Sequence, residues 1–211
     1  GNLDGLEDAR PGRNLQVLPY ILAGGVRQLG GDSYTSSSNI GLDVKYAVTS
    51  ALTLDVTARP DFAQAEADEQ QVNLTQFSQF FPEKRSFFLE NAGLFYVGDA
   101  ARSRINPAPT PDEDLLLFFS RRIGLSAAGT AVPIVAGARL TGRVAGLSVG
   151  ALNVQTESTA SSPSTNYSVL RVRRNLFGAS DIGVIVMSRQ NTSSGGNGDY
   201  NRVYGVDTNV R

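Results

Sequence analysis

Alternation of apolar and polar residues is the dominant pattern in this chain. It is clearest from Asn39 to Val48 and from Ala51 to Arg59, two stretches separated by the turn Thr49-Ser50. In both, aliphatic or tyrosine side chains occupy every second position, and charged or small side chains lie between them. Because successive side chains of a strand point to opposite faces of a sheet, the pattern predicts a β-hairpin with one apolar and one charged face.

Further strands are predicted between turn residues. They are Asn14–Leu29, Leu115–Ile123, Ile134–Val144, Leu147–Glu157, Asn166–Arg174, Asp181–Gln190 and a strand that begins at Tyr200. Most repeat this alternation, whereas Asn14–Leu29, which has no helix caps and contains Pro19, and the apolar run within Leu115–Ile123 do not. Within Ile134–Val144 we expect Ile134 to share a face with Leu140, opposite Arg139. Tight turns at 49–50, 145–146 and 175–180 alternate with long polar loops at 30–38, 158–165 and 191–199.

Residues 60–114 interrupt this series of strands. The stretch is acidic at first, then rich in amides, then dense in phenylalanine. Connections longer than about 12–15 residues are uncommon unless they are functional or disordered, and so many aromatic residues do not fit a disordered linker. We therefore predict an inserted segment that folds against the rest of the protein.

The predicted fold class is all-β, an antiparallel meander forming part of a transmembrane outer-membrane β-barrel. Charged residues in mid-strand and the alternation of short turns with long loops favour this architecture, although a soluble β-sandwich has the same alternation. Residues 1–59 would supply the first strands, 60–114 a plug-like or wall-completing insertion, and 115–211 further strands of a truncated chain. With a strand at 115–123, the insertion would have to cross the barrel an odd number of times, as a plug or with a wall strand near Phe87–Val97.

Composition narrows the possible chemistry. The net charge is −1, which gives no electrostatic footprint for nucleic acid. The chain contains neither cysteine nor histidine, so disulfides, thiolate chemistry, histidine-based catalysis and the usual zinc sites are excluded. Its longest apolar run, Leu115–Phe119, is too short for a membrane-spanning helix. No cofactor and no metal are expected.

Charged residues in and near the insertion are the candidate lumen or binding residues. Carboxylates could in principle hydrolyse glycosides or bind calcium, but the spacing fits no calcium loop, and no catalytic residue is assigned. We interpret the acids as structural or lumen-facing and expect basic side chains to pair with them. The candidates are Asp61, Glu66, Asp68, Glu69, Glu83, Lys84, Arg85, Glu90, Arg121 and Arg122.

Two other clusters allow a structural and a functional interpretation. A phenylalanine cluster is expected to be core, although it could form a platform for a sugar or a lipid; it comprises Phe77, Phe80, Phe81, Phe87 and Phe88. Arg171, Arg173 and Arg174 form a predicted basic patch at the end of a strand. A solvated or lumen-facing patch is favoured there over contact with lipopolysaccharide phosphates.

The segment PDFAQAEADEQQVNLTQFSQFFPEKRSFFLENAGLF (60–95) resembles the signature of a bacterial family, domain of unknown function 5916. PGRNLQVLPYIL (11–22), GLDVKYAVTSALTLDVTARPDF (41–62) and LFFSRRIG (117–124) are also similar to that family, although Ser86 replaces its more usual proline. The resemblance implies an upstream domain like carbohydrate-binding module family 9 and a C-terminal outer-membrane β-barrel. It supplies no catalytic residues.

The expected function is therefore that of an outer-membrane β-barrel protein. It would lie in the bacterial outer membrane, contact lipid, and bind or pass a glycan-derived or other small substrate. One alternative is a glycan hydrolase that uses carboxylates of residues 61–69 and 83–90. A second alternative is a soluble β-sandwich binding module.

Overall fold

A computed structural model describes residues 14–27, 34–60, 83–97, 117–126, 131–160, 162–193 and 198–210. These residues form one antiparallel sheet of eight strands, ordered in space as they are along the chain. The strands are β1 (Leu15–Arg27), β2 (Tyr34–Thr49), β3 (Leu52–Ala58), β4 (Ile134–Val144), β5 (Leu147–Thr156), β6 (Thr165–Asn175), β7 (Asp181–Asn191) and β8 (Tyr200–Asn209). The predicted all-β antiparallel meander is confirmed.

The sheet formed by the described residues is open. β1 and β8 are its two edges, and each pairs with one neighbouring strand in this part of the chain. A closed wall would require these two edge strands to pair, either with each other or with further strands. No helix among the described residues is long and apolar enough to cross a membrane.

The prediction of a polar loop at 30–38 is partly wrong. β2 begins at Tyr34, and its first residues continue the β1 pairing as far as Arg27. Strand propensity depends strongly on what a neighbouring strand offers. Here β1 extends far enough to pair the backbone of a serine-rich stretch that sequence alone assigns to a loop.

The predicted strand Leu115–Ile123 is also wrong in its described part. A 3₁₀ helix spans Ser120–Arg122, and the preceding Leu117 and Phe118 pack against the core of the protein. This run is apolar at consecutive positions, which suits a segment buried on one sheet face better than a half-buried strand. β3 instead pairs directly with β4.

Because β3 and β4 are adjacent and antiparallel, the insertion leaves and rejoins the sheet at the same end. The odd number of crossings expected from sequence is therefore not required. Nor is there a wall strand at Phe87–Val97, where the structure has the short helix α1 (Ser86–Leu89) and a 3₁₀ helix at Ala92–Phe95.

A β-bulge moves Ile134 to the face opposite the predicted one. The register shifts between Ile134 and Ala136, so that Ile134 pairs with Thr156 and is buried in the core. A bulge adds one unpaired residue and reverses the alternation on one side of it. Leu140 and Arg139, beyond the bulge, lie on opposite faces as predicted.

The two faces of the sheet differ sharply. Because 117–126 form no strand of the sheet, the insertion comprises the whole connection between β3 and β4 and extends beyond the predicted 60–114. Its residues 83–97 and 117–126 pack on one face, which we call the covered face, through Phe88, Phe95 and Ile123. That face carries most of the sheet's buried aliphatic residues together with its buried charges: Asp55, Arg139, Leu152, Val154, Val169, Arg171 and Ile185. The opposite, uncovered face is apolar over much of its area and includes Leu42, Val44, Leu54, Val56, Leu140, Leu170, Val172, Val184 and Val206.

Candidate functional site

Two glycines on the covered face make room for phenylalanine rings of the insertion. A Cβ atom on Gly137 of β4 would lie 3.1 Å from the Phe87 ring, and one on Gly150 of β5 would lie 3.1 Å from the Phe95 ring. Cβ contacts this close are tighter than ordinary packing, so a larger residue would push the rings away. The sheet is shaped to receive this segment.

Charged residues in neighbouring strands connect the sheet to the insertion. Lys45, Asp55 and Arg139 are direct cross-strand partners on β2, β3 and β4. Arg139 Nη2 lies 2.8 Å from Asp55 Oδ2 and 3.3 Å from Glu90 Oε2, and Lys45 donates a hydrogen bond to Glu90 Oε1. Glu90, which follows α1, therefore meets two cations of the sheet. We call these four residues the Glu90 cluster.

Arg139 is only 2% exposed, and its side chain makes several further contacts. Its Nη1 donates to the backbone carbonyl of Glu90, and its guanidinium lies 5.4 Å from the centre of the Phe87 ring. Beside it, Asn91 Nδ2 donates to Thr141 Oγ1 at 3.1 Å. Asn91 has a φ of 54°, a left-handed conformation that asparagine tolerates better than most residues. The turn after α1 is therefore held by both side-chain and backbone contacts.

A second ionic cluster joins the two described parts of the insertion. Arg85 Nε donates to Glu83 Oε1 at 2.8 Å, and its Nη2 donates to Glu83 Oε2 at 2.7 Å, which gives a bidentate pair. The same guanidinium donates to the carbonyls of Ser120 and Ile123 and lies over the Phe88 ring. Ser120 Oγ donates to Glu83 at 2.6 Å.

The ion pairs lower the pKa of both glutamates. For Glu83, burial alone would raise the pKa, but the hydrogen bonds and charge of Arg85 and the Ser120 hydroxyl outweigh it and leave the pKa below 4.5. For Glu90, the hydrogen bond from Lys45 lowers the pKa, against a smaller effect of burial, and the charges of Lys45 and Arg139 lower it further. Both carboxylates are ionised at neutral pH.

We expect Glu83→Gln to destabilise the protein by about 1–3 kcal/mol at neutral pH, because it leaves buried Arg85 without its carboxylate. The folded-state pKa is lowered, so the ion pair contributes fully above pH 4.5 and is lost as the pH falls through the lowered value. Urea unfolding of both proteins across this range should show the difference shrinking below pH 4.5. Exposed Glu157→Gln is the control, and a pH-independent difference would contradict the expectation.

Arg171 forms an ion pair outside these two clusters that sequence analysis did not predict. Its side chain crosses over Gly183 of β7 and pairs with Asp207 of β8, with Nη2 to Oδ2 at 2.8 Å. The three arginines therefore do not form one patch: Arg171 is buried and Arg173 half-buried on the covered face, whereas Arg174 is exposed on the uncovered face. The alternation of side chains along the strand could have placed Arg171 and Arg174 on opposite faces. The pairing of Arg171 with Asp207, two strands away, could not be predicted without the strand register.

Of the other candidate residues, some are described by the structure and the rest are not. Arg121 is buried, which lowers its pKa, whereas Lys84 and Arg122 are exposed. Phe87 and Phe88 form an edge-to-face pair with ring centres 5.1 Å apart. The remaining candidates lie outside the described residues: Asp61, Glu66, Asp68, Glu69, Phe77, Phe80 and Phe81.

A small aromatic cavity lies between the insertion and the sheet. Its volume is about 50 Å³, and Phe88, Phe95, Phe118 and Leu152 are among its lining residues. Typical ligand pockets measure roughly 300–1,000 Å³, so this cavity accommodates water-sized groups only. Within the described residues, no cluster of three or more acidic side chains could hold a metal ion.

Comparison with models of protein families identifies the family of this chain. The model of the family described as Domain of unknown function (DUF5916) matches residues 11–194. The chain belongs to the DUF5916 family. The DUF5916 match extends beyond the motifs recognised in the sequence and includes all of β4 to β7. No curated protein and no solved structure matches this DUF5916 chain significantly.

Proposed function

We propose that this DUF5916 chain forms part of the wall of a β-barrel in the bacterial outer membrane, with the insertion folded against its inner surface. The observation that carries the proposal is a reversal of the usual burial pattern. Arg139 and Arg171 are 2% and 1% exposed, whereas Ile21 and Val206 are 76% and 73% exposed. Charge faces the protein interior, and apolar surface faces outwards.

The extent of the apolar surface supports lipid as its environment. Monomeric soluble proteins rarely expose continuous apolar patches larger than a few hundred Å². Here exposed apolar residues occur on the uncovered face of β1, β2, β4, β6, β7 and β8. Lipid-facing strands of outer-membrane proteins have this character, with polar side chains turned inwards.

The connections between strands agree with such a wall. Short turns at 145–146 and 176–180 lie at one end of the sheet. The insertion and the longer connections at 157–164 and 192–199 lie at the other end. Outer-membrane barrels combine short periplasmic turns with longer outer loops, so we assign the end that carries the insertion to the outside.

Neither alternative has comparable support. A glycosidase needs a carboxylic acid with a raised pKa as proton donor. Among the candidate carboxylates that the structure describes, Glu83 and Glu90, the pKa is lowered in both. A β-sandwich needs a second sheet against the apolar face. The described residues form one sheet, and none of them forms a second sheet against its apolar, uncovered face. The insertion packs on the other face.

We expect Leu42→Arg and Val184→Arg each to cost about 2–4 kcal/mol of folding free energy in lipid, because a cation would enter hydrocarbon. Leu54→Arg tests the same face on β3. Folding of the whole protein from urea into vesicles measures the loss. Leu89→Arg is the matched control, since Leu89 is 49% exposed but belongs to the insertion. Equal tolerance of all four substitutions would contradict a lipid-facing wall.

The second part of the proposal is that the barrel binds or passes a small, glycan-derived substrate. The family resemblance motivates this substrate class, and the ionic lining of the covered face supplies hydrogen-bonding groups for it. Swelling of vesicles that contain the whole protein, measured in oligosaccharide solutions, tests passage, and calorimetry tests binding. Swelling no faster than in empty vesicles, together with no measurable binding, would argue against it.

A further inference from the structure

The strand register allows positions on the uncovered face to be compared across the whole sheet. Residues that pair directly form a row perpendicular to the strands. One such row on the uncovered face starts at Pro19 of β1. It continues through Leu42, Ala58, Ala136, Gln155, Asn166 and Gln190 to Tyr200. This row is apolar from β1 to β4 and polar at β5, β6 and β7.

The apolar residues are therefore displaced along the strands from one side of the sheet to the other. On β1 the apolar positions of the uncovered face run from Leu15 to Ala23, with Pro19 in the middle. On β7 they run from Ile182 to Val186, with Val184 in the middle. Val184 lies six residues before Gln190, the residue in the same row as Pro19.

This displacement corresponds to an average slope between β1 and β7. Six residues span about 20 Å along a strand, and the six steps from β1 to β7 span about 29 Å across the sheet. The resulting angle is about 35°, within the tilt of about 35–45° that strands of outer-membrane barrels adopt. On β1 the apolar stretch measures about 27 Å along the strand, or about 22 Å along the membrane normal at this tilt, close to the height of roughly 25 Å expected for the lipid-facing band.

Polar side chains mark one border of the band. On β5 and β6, Asn153 Nδ2 donates to Asn166 Oδ1 at 2.9 Å and to Ser168 Oγ at 2.8 Å. Gln155 Nε2 donates to Ser164 Oγ at 2.8 Å. These groups lie on the uncovered face, on the side of the band nearer the long loops. They satisfy one another, as polar groups beside hydrocarbon must.

Charge on the uncovered face is also arranged around the band. Arg202 of β8 lies beyond the border nearer the long loops, and Arg174 of β6 lies beyond the other border. The apolar positions between them carry no charged side chain. A neutral layer between two basic borders complements a bilayer, whose hydrocarbon lies between two layers of phosphate.

We infer that lipid contacts the uncovered face as a band inclined by about 35° to the rows of paired residues, an inference that rests on the proposed function. Leu42 and Val184 lie within hydrocarbon, whereas Gln190, in the row of Leu42, lies at the headgroups. A docked protein would cover a compact patch. The band instead continues across the sheet from β1 to β8.

The slope can be tested by measuring the depth of single positions in the membrane. Because the chain has no cysteine, one introduced cysteine can be labelled specifically. Leu42→Cys, Val184→Cys and Gln190→Cys, each labelled with an environment-sensitive fluorophore, would be reconstituted in the whole protein in phosphatidylcholine vesicles. Lipids carrying a spin label at mid-chain should quench the fluorophores at 42 and 184 several-fold more than the one at 190. Lipids spin-labelled at the headgroup should reverse this order.

The possible outcomes separate this inference from the proposed function. Equal quenching at 42 and 190 by each lipid would overturn the slope while lipid contact remained supported. Absence of quenching at all three positions would overturn lipid contact, and with it both the proposed function and the inclined band.

Discussion

Replacing Arg139 by alanine is expected to destabilise the protein by about 3–5 kcal/mol, because breaking a buried ion pair leaves a charge without compensation. Asp55 is 8% exposed and would lose its 2.8 Å contact with the guanidinium. Glu90 would lose two hydrogen bonds, one to its carbonyl and one to its carboxylate. Urea unfolding in detergent micelles, compared with the wild type, measures the effect.

Two further variants determine whether the charge pair causes the loss. Arg143→Ala removes an exposed arginine from the end of the same strand and should cost no more than about 0.5 kcal/mol. The double variant Arg139→Met with Asp55→Leu removes both charges and keeps apolar volume, so it should be more stable than Arg139→Ala alone. A double variant as unstable as Arg139→Ala would show that packing, and not charge, dominates at this position.

Gly142→Ala is the second substitution with a large expected effect, about 2–4 kcal/mol of destabilisation from backbone strain and overpacking. Gly142 has a φ of 148°, and a Cβ atom there would lie 2.0 Å from the Ala51 carbonyl oxygen and 2.7 Å from Leu52 Cα. Both are backbone atoms, so β3 and β4 would have to separate locally. Thermal unfolding monitored by circular dichroism measures the loss.

Two other glycines are matched controls for this substitution. Gly146 has a φ of 78°, and a Cβ atom there would meet nothing within 4 Å beyond its chain neighbours, so Gly146→Ala tests backbone strain without a clash. Gly93 has the same open space and no positive φ, so Gly93→Ala introduces neither backbone strain nor a clash and serves as the baseline. The expected order of destabilisation is Gly142, then Gly146, then Gly93. Equal losses at Gly142 and Gly93 would contradict the steric explanation.

Alternation predicted the strands wherever one face of the sheet is apolar and the other polar. The hairpin of β2 and β3 follows from its sequence because every residue from Ile40 to Val48 obeys a period of two. The errors arise where that period is absent or interrupted. The run from Leu115 to Phe119 is apolar at every position, and the bulge beside Ile134 reverses parity within a strand that otherwise alternates well.

The candidate site was predictable only in its chemistry. Sequence indicated that charges in mid-strand would face inwards and need partners, and Glu83 and Arg85, two residues apart, do pair. Asp55 and Arg139 are separated by 84 residues. Their contact depends on the register of β3 against β4, and that register is fixed by the whole sheet and not by either strand alone.

The direct pairing of β3 with β4 also has a consequence for how the protein folds. Neighbouring strands from β4 to β8 are joined by connections of at most eight residues, but this pair must close a loop that contains the whole insertion. Loop-closure entropy rises by about 0.6 kcal/mol with each doubling of loop length, and contacts distant in sequence form slowly. The first three strands and the last five therefore resemble two sheets that each fold locally. The pairing of β3 with β4 joins them and is the slowest pairing to form.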